Sequence, residues 1–197
     1  MDEGTGLDEA MARYAAGDDA AFDVLYTLLS RRLYAFCLRL TARKSDAEDV
    51  LQDAFLRLHR ARATYVAGST ALHWAYAIAR SAYLDRLRKK KRRPEDLVET
   101  ETFEAMAAYS SFGDRFASPE AQAQAEELMV VVQRVVAALP ENQRTAFVLL
   151  KEEGLSVADA AAVLGTTSMA VKLRAHRAYE AIRAALDAAD APPKGAR

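Results

Sequence analysis

The sequence predicts an all-α protein built as two small helical domains joined by a flexible acidic linker. Three observations point there. Long stretches rich in Ala, Leu, Arg and Glu, with only 8 Gly and 5 Pro in 197 residues, favour helix and leave little turn punctuation. Apolar residues recur at intervals of three and four, and strand-like alternation is hard to find. Charge falls in blocks: residues 1–93 sum to +5, residues 94–127 to −8 and residues 128–197 to +2, although the whole chain carries −1. A chain of this length holds one medium domain or two small ones, and the basic, acidic, basic order favours two.

After a short leader, Asp18 is placed to cap a helix in which Phe22, Leu25, Tyr26, Leu29, Leu33, Phe36, Cys37 and Leu40 form one apolar stripe. The lone Cys37 reads as a small core residue, and one cysteine forms no disulfide within a chain. Thr41 to Lys44 break the pattern. Ser45 with Glu48 makes a capping box that opens a second helix through about Arg60, with Val50, Leu51, Ala54, Phe55 and Leu58 inward. Ala63 to Thr70 reads as a loop containing Gly68 and Ser69. A third helix runs from about Ala71 until Pro94 halts it, with Trp74, Ile78 and Ala82 spaced by four as its inner face. It ends in seven cations within Arg86–Arg93, more than a helix dipole needs and self-repelling unless an anion is near. Residues 94 to about 120, with Glu95, Asp96, Glu99, Glu101 and Glu104, have no sustained periodicity and read as the linker. A helix from about Pro119 to Ala138 leads into the C-terminal module, and Pro192 to Arg197 form a tail.

That module reads as a helix-turn-helix. Ser156 and Asp159 form a capping box, so a helix starts at Val157, with Ala160, Ala161 and Leu164 apolar. Gly165 tolerates positive φ at its end, and Thr167 can cap the next helix. There Val171, Ala175, Ala178 and Ile182 repeat at helical spacing, while Lys172, His176 and Arg177 occupy the opposite face. Such a face suits a DNA major groove, where base edges and phosphates meet cations. An ordinary helical hairpin with a solvated basic face is the plainer alternative.

Taken together, the pattern resembles the RNA polymerase sigma factors of the sigma-70 family, in their small extracytoplasmic-function subgroup. Gly17-Asp18 with Phe22 and Leu25-Tyr26, and then Asp46 to Phe55, look like region 2 of that family. Trp74 to Arg88 is similar to its promoter-melting and minus-ten-reading segment. Leu139-Pro140, Arg144, Gly154-Leu155-Ser156 and the helix-turn-helix resemble region 4, which reads the minus-thirty-five element. The resemblance implies residues 1–93 as region 2, 94–120 as linker, 121–190 as region 4 and 191–197 as tail. It further implies core RNA polymerase as partner. Asp49, Gln52, Asp53 and Phe55 would dock on the clamp helices of the largest subunit, and region 4 on the flap of the second largest. Tyr65, Ser69, Arg80, Ser81, Asp85 and Arg88 would meet minus-ten DNA, the Tyr65–Thr70 loop capturing a flipped base. Arg144, Ser168, Lys172, Leu173, His176 and Arg177 would meet minus-thirty-five DNA. The acidic linker would thread the polymerase cleft, and an anti-sigma protein would mask these surfaces. Where the family usually has Asn, this chain has Ser81, and Ala170 and Leu173 stand where Thr and Ser are common. A hydroxyl cannot make the bidentate contact of an amide, so base preference is expected to shift.

Other classes fit less well. A DNA-processing enzyme needs a nucleophile with oriented partners or clustered ligands, and His59, His73 and His176 are scattered without ligand spacing. No metal or cofactor is expected, and catalysis would belong to the polymerase. A conventional helix-turn-helix regulator does not require a second basic helix in its N-terminal half. The first residues lack the basic and apolar regions of a signal peptide, so a cytoplasmic location is expected.

Overall fold

The hydrophobic stripe of the second helix in chain order organises the fold. A computed structural model describes residues 3–92 and 119–190, and all the elements named below fall within them. Helix α1 spans Glu3–Ala15, α2 Ala21–Thr41 and α3 Lys44–Ala61; a single 3-10 turn at Arg62–Thr64 and a loop precede α4, Ala71–Arg92. After the linker come α5 at Pro119–Ala138 and α6 at Glu141–Phe147, the latter continuing into a π-helical turn at Val148–Glu152. The helix-turn-helix pair is α7 at Val157–Leu164 and α8 at Ser168–Asp190. Among the described residues there is no strand. Linker residues 94–118 and tail residues 191–197 lie outside them, and Pro119 and Glu120 already belong to α5.

Leu25, Leu29, Leu33, Phe36, Cys37 and Leu40 of α2 are all fully buried, as the spacing predicts. They pack against α1, α3 and α4, with Tyr76 stacking a tilted ring on Phe36 at 4.8 Å. The same helix also touches α5 and α6, and α4 touches α7, so the two halves meet along a seam. Tyr26 departs from its pattern: it is 49% exposed, because its turn of α2 faces a cleft rather than the core.

The leader is in fact helical. Leu7, Ala10, Met11 and Tyr14 are buried at intervals of three, one and three, a short amphipathic signal that was present in the sequence. Asp8 of this helix accepts a 2.7 Å hydrogen bond from the Ala71 amide and so caps α4 across 63 residues. Asp18 is shared: its carboxylate is held by Arg13 Nε at 2.9 Å and also meets the backbone amides of Ala20 and Ala21 at the opening turn of α2. The Ser45 capping box fails to form. Ala42 takes a left-handed conformation (φ 57°) that closes α2 and starts α3 at once, leaving Ser45 inside the first turn. In α4 the buried positions are Ala71, Ala75, Tyr76, Ala79, Ala82 and Tyr83, while Trp74 and Ile78 are only partly covered.

The C-terminal caps follow the sequence. Ser156 Oγ accepts from the Asp159 amide at 3.1 Å, Gly165 is left-handed at φ 58°, and Thr167 Oγ1 accepts from the Ala170 amide at 3.2 Å. The second half of the capping box differs in detail, since the Ser156 hydroxyl donates to the Asp159 carboxylate at 2.6 Å. Replacing Ser156 by Ala should lower the unfolding free energy by about 1 kcal/mol, with Ser156→Asp recovering most of it. Unchanged denaturant midpoints for both variants would show that the cap contributes nothing.

Candidate nucleic-acid and partner interfaces

The exposed side of α3 divides into two surfaces. Asp49 and Asp53 turn toward α4: Asp49 accepts from Arg86 at 2.5 Å, and Asp53 pairs with Arg57, which also reaches Asp85 at 2.7 Å. Gln52 and Phe55 turn the other way, into an open cleft lined by Tyr14, Phe22, Tyr26, Leu51 and Leu56. Phe55 stacks on Tyr26 with ring centroids 4.9 Å apart and meets Phe22 edge-on at 6.2 Å. The sequence grouped the four residues as one face; the structure makes them a polar edge and an apolar cleft. Tyr26 and Leu56, each 49% exposed, belong to that cleft as well.

The cationic end of α4 is held by acids of α3. Asp46, buried, accepts from Arg86 at 3.0 Å and from Lys90 at 2.5 Å. Burial alone would raise its pKa, but the hydrogen bonds and charges of Lys90 and Arg86 prevail and hold it below the ordinary value of 3.8. Arg88 pairs with Asp85 at 2.6 Å, and Asp85 is also held low, mainly by its hydrogen bond from Arg57. Lys89 and Arg92 remain exposed on the same stretch. Ser81 is exposed and accepts from Arg57 at 3.3 Å.

The loop before α4 is closed by Tyr65, whose hydroxyl donates to the Ser69 carbonyl and whose ring meets Trp74 edge-on at 5.4 Å. Tyr65 and Tyr83 are both buried, so neither offers a free ring face. The loop instead presents Ser69 and Val66, the latter 69% exposed, around Gly68 at φ 88°. Val66 went unnoticed in the sequence because a single valine in a polar loop carries no periodic signal.

On α8 the expected face is present. Ser168, Lys172, Leu173, His176 and Arg177 are all exposed, and Val171, Ala175, Ala178 and Ile182 are buried beneath them. His176 lies 3.4 Å from Glu180 one turn on. Arg144 is not part of this surface. Its guanidinium donates to the Leu40 carbonyl at 2.8 Å, at the seam with α2. Arg80 is drawn to the same seam, 3.5 Å from Glu141, and the Nε atoms of both arginines are buried without a partner. The seam is completed by Arg39 of α2, which pairs with Glu152 and, at 2.8 Å, with Glu153. Tyr76 donates to Glu153; burial, reinforced by that carboxylate, pushes its pKa upward and keeps it a donor.

Two amphipathic helical bodies, one ending in a basic helix and one carrying a helix-turn-helix, match known sequences along their length. Residues 25–93 match Sigma-70 region 2, and residues 129–182 match Sigma-70 region 4. The ECF RNA polymerase sigma factor SigM of Mycobacterium tuberculosis is 36% identical over 171 residues, 86% of this chain and 79% of the relative. The chain belongs to the extracytoplasmic-function sigma-70 family. The RNA polymerase sigma-H factor of Pseudomonas aeruginosa is 32% identical over 90% of this chain and 92% of its own. The sigma factor RpoE of Bartonella quintana, solved with the anti-sigma factor NepR, shares the fold. It superposes with a TM-score of 0.65 at 24% identity, covering 84% of this chain and 96% of that one.

The region 2 match thus covers most of α2 with α3 and α4, and the region 4 match covers the second half of α5, α6, α7 and most of α8. Among the described residues no group of His, Cys, Asp or Glu is arranged to hold a metal, and no helix is long and apolar enough to cross a membrane. The Asp46 cluster fixes the direction of the basic end of α4, and its stabilising effect depends on pH. Because its pKa in the fold lies below 3.8, the contribution is complete above that value and is lost as pH falls through the folded pKa. Asp46→Asn should therefore destabilise the protein at pH 7 and flatten the acid limb of its stability profile. Parallel acid limbs for wild type and variant, in denaturant titrations from pH 7 to pH 2.5, would refute this.

Proposed function

We propose that this sigma factor binds core RNA polymerase and directs promoter-specific initiation, region 2 engaging polymerase and the minus-ten element and region 4 the minus-thirty-five element. The observation that carries the reading is the joint presence of two DNA-suited surfaces in one chain of this family. One is the cationic end of α4 beside the Val66–Ser69 loop tip, and the other is the exposed Lys172–Arg177 face of α8. In this reading the chemistry of RNA synthesis belongs to the polymerase.

The apolar cleft beside Gln52 and Phe55 is the docking surface for the polymerase clamp. Its aromatic ring cluster supplies the buried anchors that interface hot spots require, and Asp49 and Asp53 supply an acidic rim. Minus-ten contacts are assigned to Ser69, Ser81, Asp85 and Arg88 in the present arrangement. Arg80, Arg144 and the rest of the seam become available to DNA only when the halves separate. The sigma factor RpoE of Bartonella quintana, of similar fold, has been solved with the anti-sigma factor NepR, and an anti-sigma protein that covers this cleft is the expected regulator of the present chain.

The test is reconstitution with core polymerase lacking sigma, with initiation mapped on a genomic fragment pool. New defined start sites are expected; duplex binding without polymerase association would instead indicate a conventional regulator. Gln52→Ala with Tyr26→Ala should weaken core binding roughly tenfold or more while leaving the circular dichroism unchanged. Lys172→Ala and Arg177→Ala should each lower promoter affinity and reduce the slope of log affinity against log salt by about one, the signature of a lost phosphate contact. An unchanged slope in both would remove these residues from the DNA interface.

A further inference from the structure

The outermost side chains of the first two turns of α8 are apolar, with the exposed Glu180 on the same line two turns further on. At about 100° per residue, the buried stripe of Val171, Ala175, Ala178 and Ile182 is centred about 180° from the midpoint between Met169 and Leu173. These two lie one turn apart and point directly away from the domain, Met169 being 74% exposed and Leu173 48%. Lys172 and His176 flank them on one side and Arg177 on the other, all exposed. Two adjacent apolar side chains are thus framed by Lys172, His176 and Arg177 at the start of the helix.

The occupant of this face has to offer apolar groups between negative charges. A DNA major groove does so in one chemical form, the C5 methyl group of thymine, set on the groove floor between two phosphate strands. In a docked helix-turn-helix, the residues near the start of the second helix that project furthest reach the base edges, while their cationic neighbours meet the walls. Met169 is the second residue of α8, and Leu173 follows it on the same line. Both side chains end in methyl groups and have no polar atom to leave unpaired against a base edge, apart from the weakly accepting Met sulfur.

We propose that Met169 and Leu173 form an apolar reading pair that selects thymine in the minus-thirty-five element through its methyl group. Resting on the promoter-binding role of region 4, the proposal extends it from phosphate attraction to a particular base. Lys172 and Arg177 then position the helix, and Met169 and Leu173 decide which base pair is tolerated below it. Cytosine, which presents an amino donor and no methyl there, is rejected because it gains no apolar contact and its amino group is left unpaired.

The experiment uses holoenzyme reconstituted from the full chain and core polymerase, on a promoter mapped by its own start site. Each thymine of the minus-thirty-five element is replaced singly by uracil, which keeps every hydrogen-bonding group and removes only the methyl. Promoter binding should fall roughly fourfold at one or two positions, the effect of withdrawing one buried methyl from apolar contact. With Met169→Ala and Leu173→Ala in combination, uracil and thymine templates should bind alike, while the salt slope set by the cations stays the same. Equal binding of uracil and thymine by the wild-type protein at every position overturns the proposal, as does a methyl effect that survives the double substitution. Failure to initiate on any template would overturn the promoter-binding role itself, a result distinct from either of these.

Discussion

A charge withdrawn from water has to be met by another, and at the seam between the two halves of this molecule that constraint is concentrated on Arg39. It sits on the helix whose stripe builds the N-terminal core, and it is met by Glu152 and Glu153 from beyond the linker. Glu153 is also the acceptor for Tyr76, a fully buried side chain of α4. Removing Arg39 leaves two acids close together without their shared cation, the costly case for partly buried ionic groups. Arg144 and Arg80 extend the same seam, but each leaves one buried N–H without a partner. The seam is therefore specific in its centre and imperfectly satisfied at its margins, which suits a contact made to be broken.

Local signals located the long helices and the caps of the C-terminal half. Periodicity located α2 and its buried residues, and the C-terminal caps at Ser156, Gly165 and Thr167 could be read directly because a cap is a property of three or four adjacent residues. Local signals misled where a competing partner lay nearby. Asp18 divides between Arg13 and the opening turn of α2, and the left-handed turn at Ala42 displaced the Ser45 box. The short stripe of α1 was legible but passed over beside an acidic, glycine-containing start. Contacts between distant segments were not legible at all. Arg39 and Glu153 are separated by 114 residues, and Asp8 and Ala71 by 63, and no spacing rule connects them.

The same distinction applies to the functional surfaces. The cation run of Arg86 to Arg93 read as a single anion-seeking block, yet Arg86 and Lys90 are engaged by Asp46, and Arg88 by Asp85. A bare count of basic residues overstates what this helix can offer a phosphate. Conversely, the acids of α3 read as a partner-facing surface, whereas Asp49 and Asp53 also orient α4. Asp46, one turn earlier, makes that bracing stronger and is the most buried of the three.

The π-helical turn at Val148–Glu152 gives the seam its phase. There the Glu153 amide bonds to the Val148 carbonyl five residues back, at 3.0 Å, where an α-helix would use four. Such a turn holds one residue more than the α-helical alternative. Loss of a single codon in this stretch would restore an ordinary helix and leave Glu152, Glu153 and all that follows in nearly the same phase, because the residue removed is the one the wider turn accommodates. Relaxation of the turn to α-helix at unchanged length would instead rotate both glutamates by about 100° and turn them away from Arg39. The winding of this short turn is thus as much a part of the molecule's specification as its side chains.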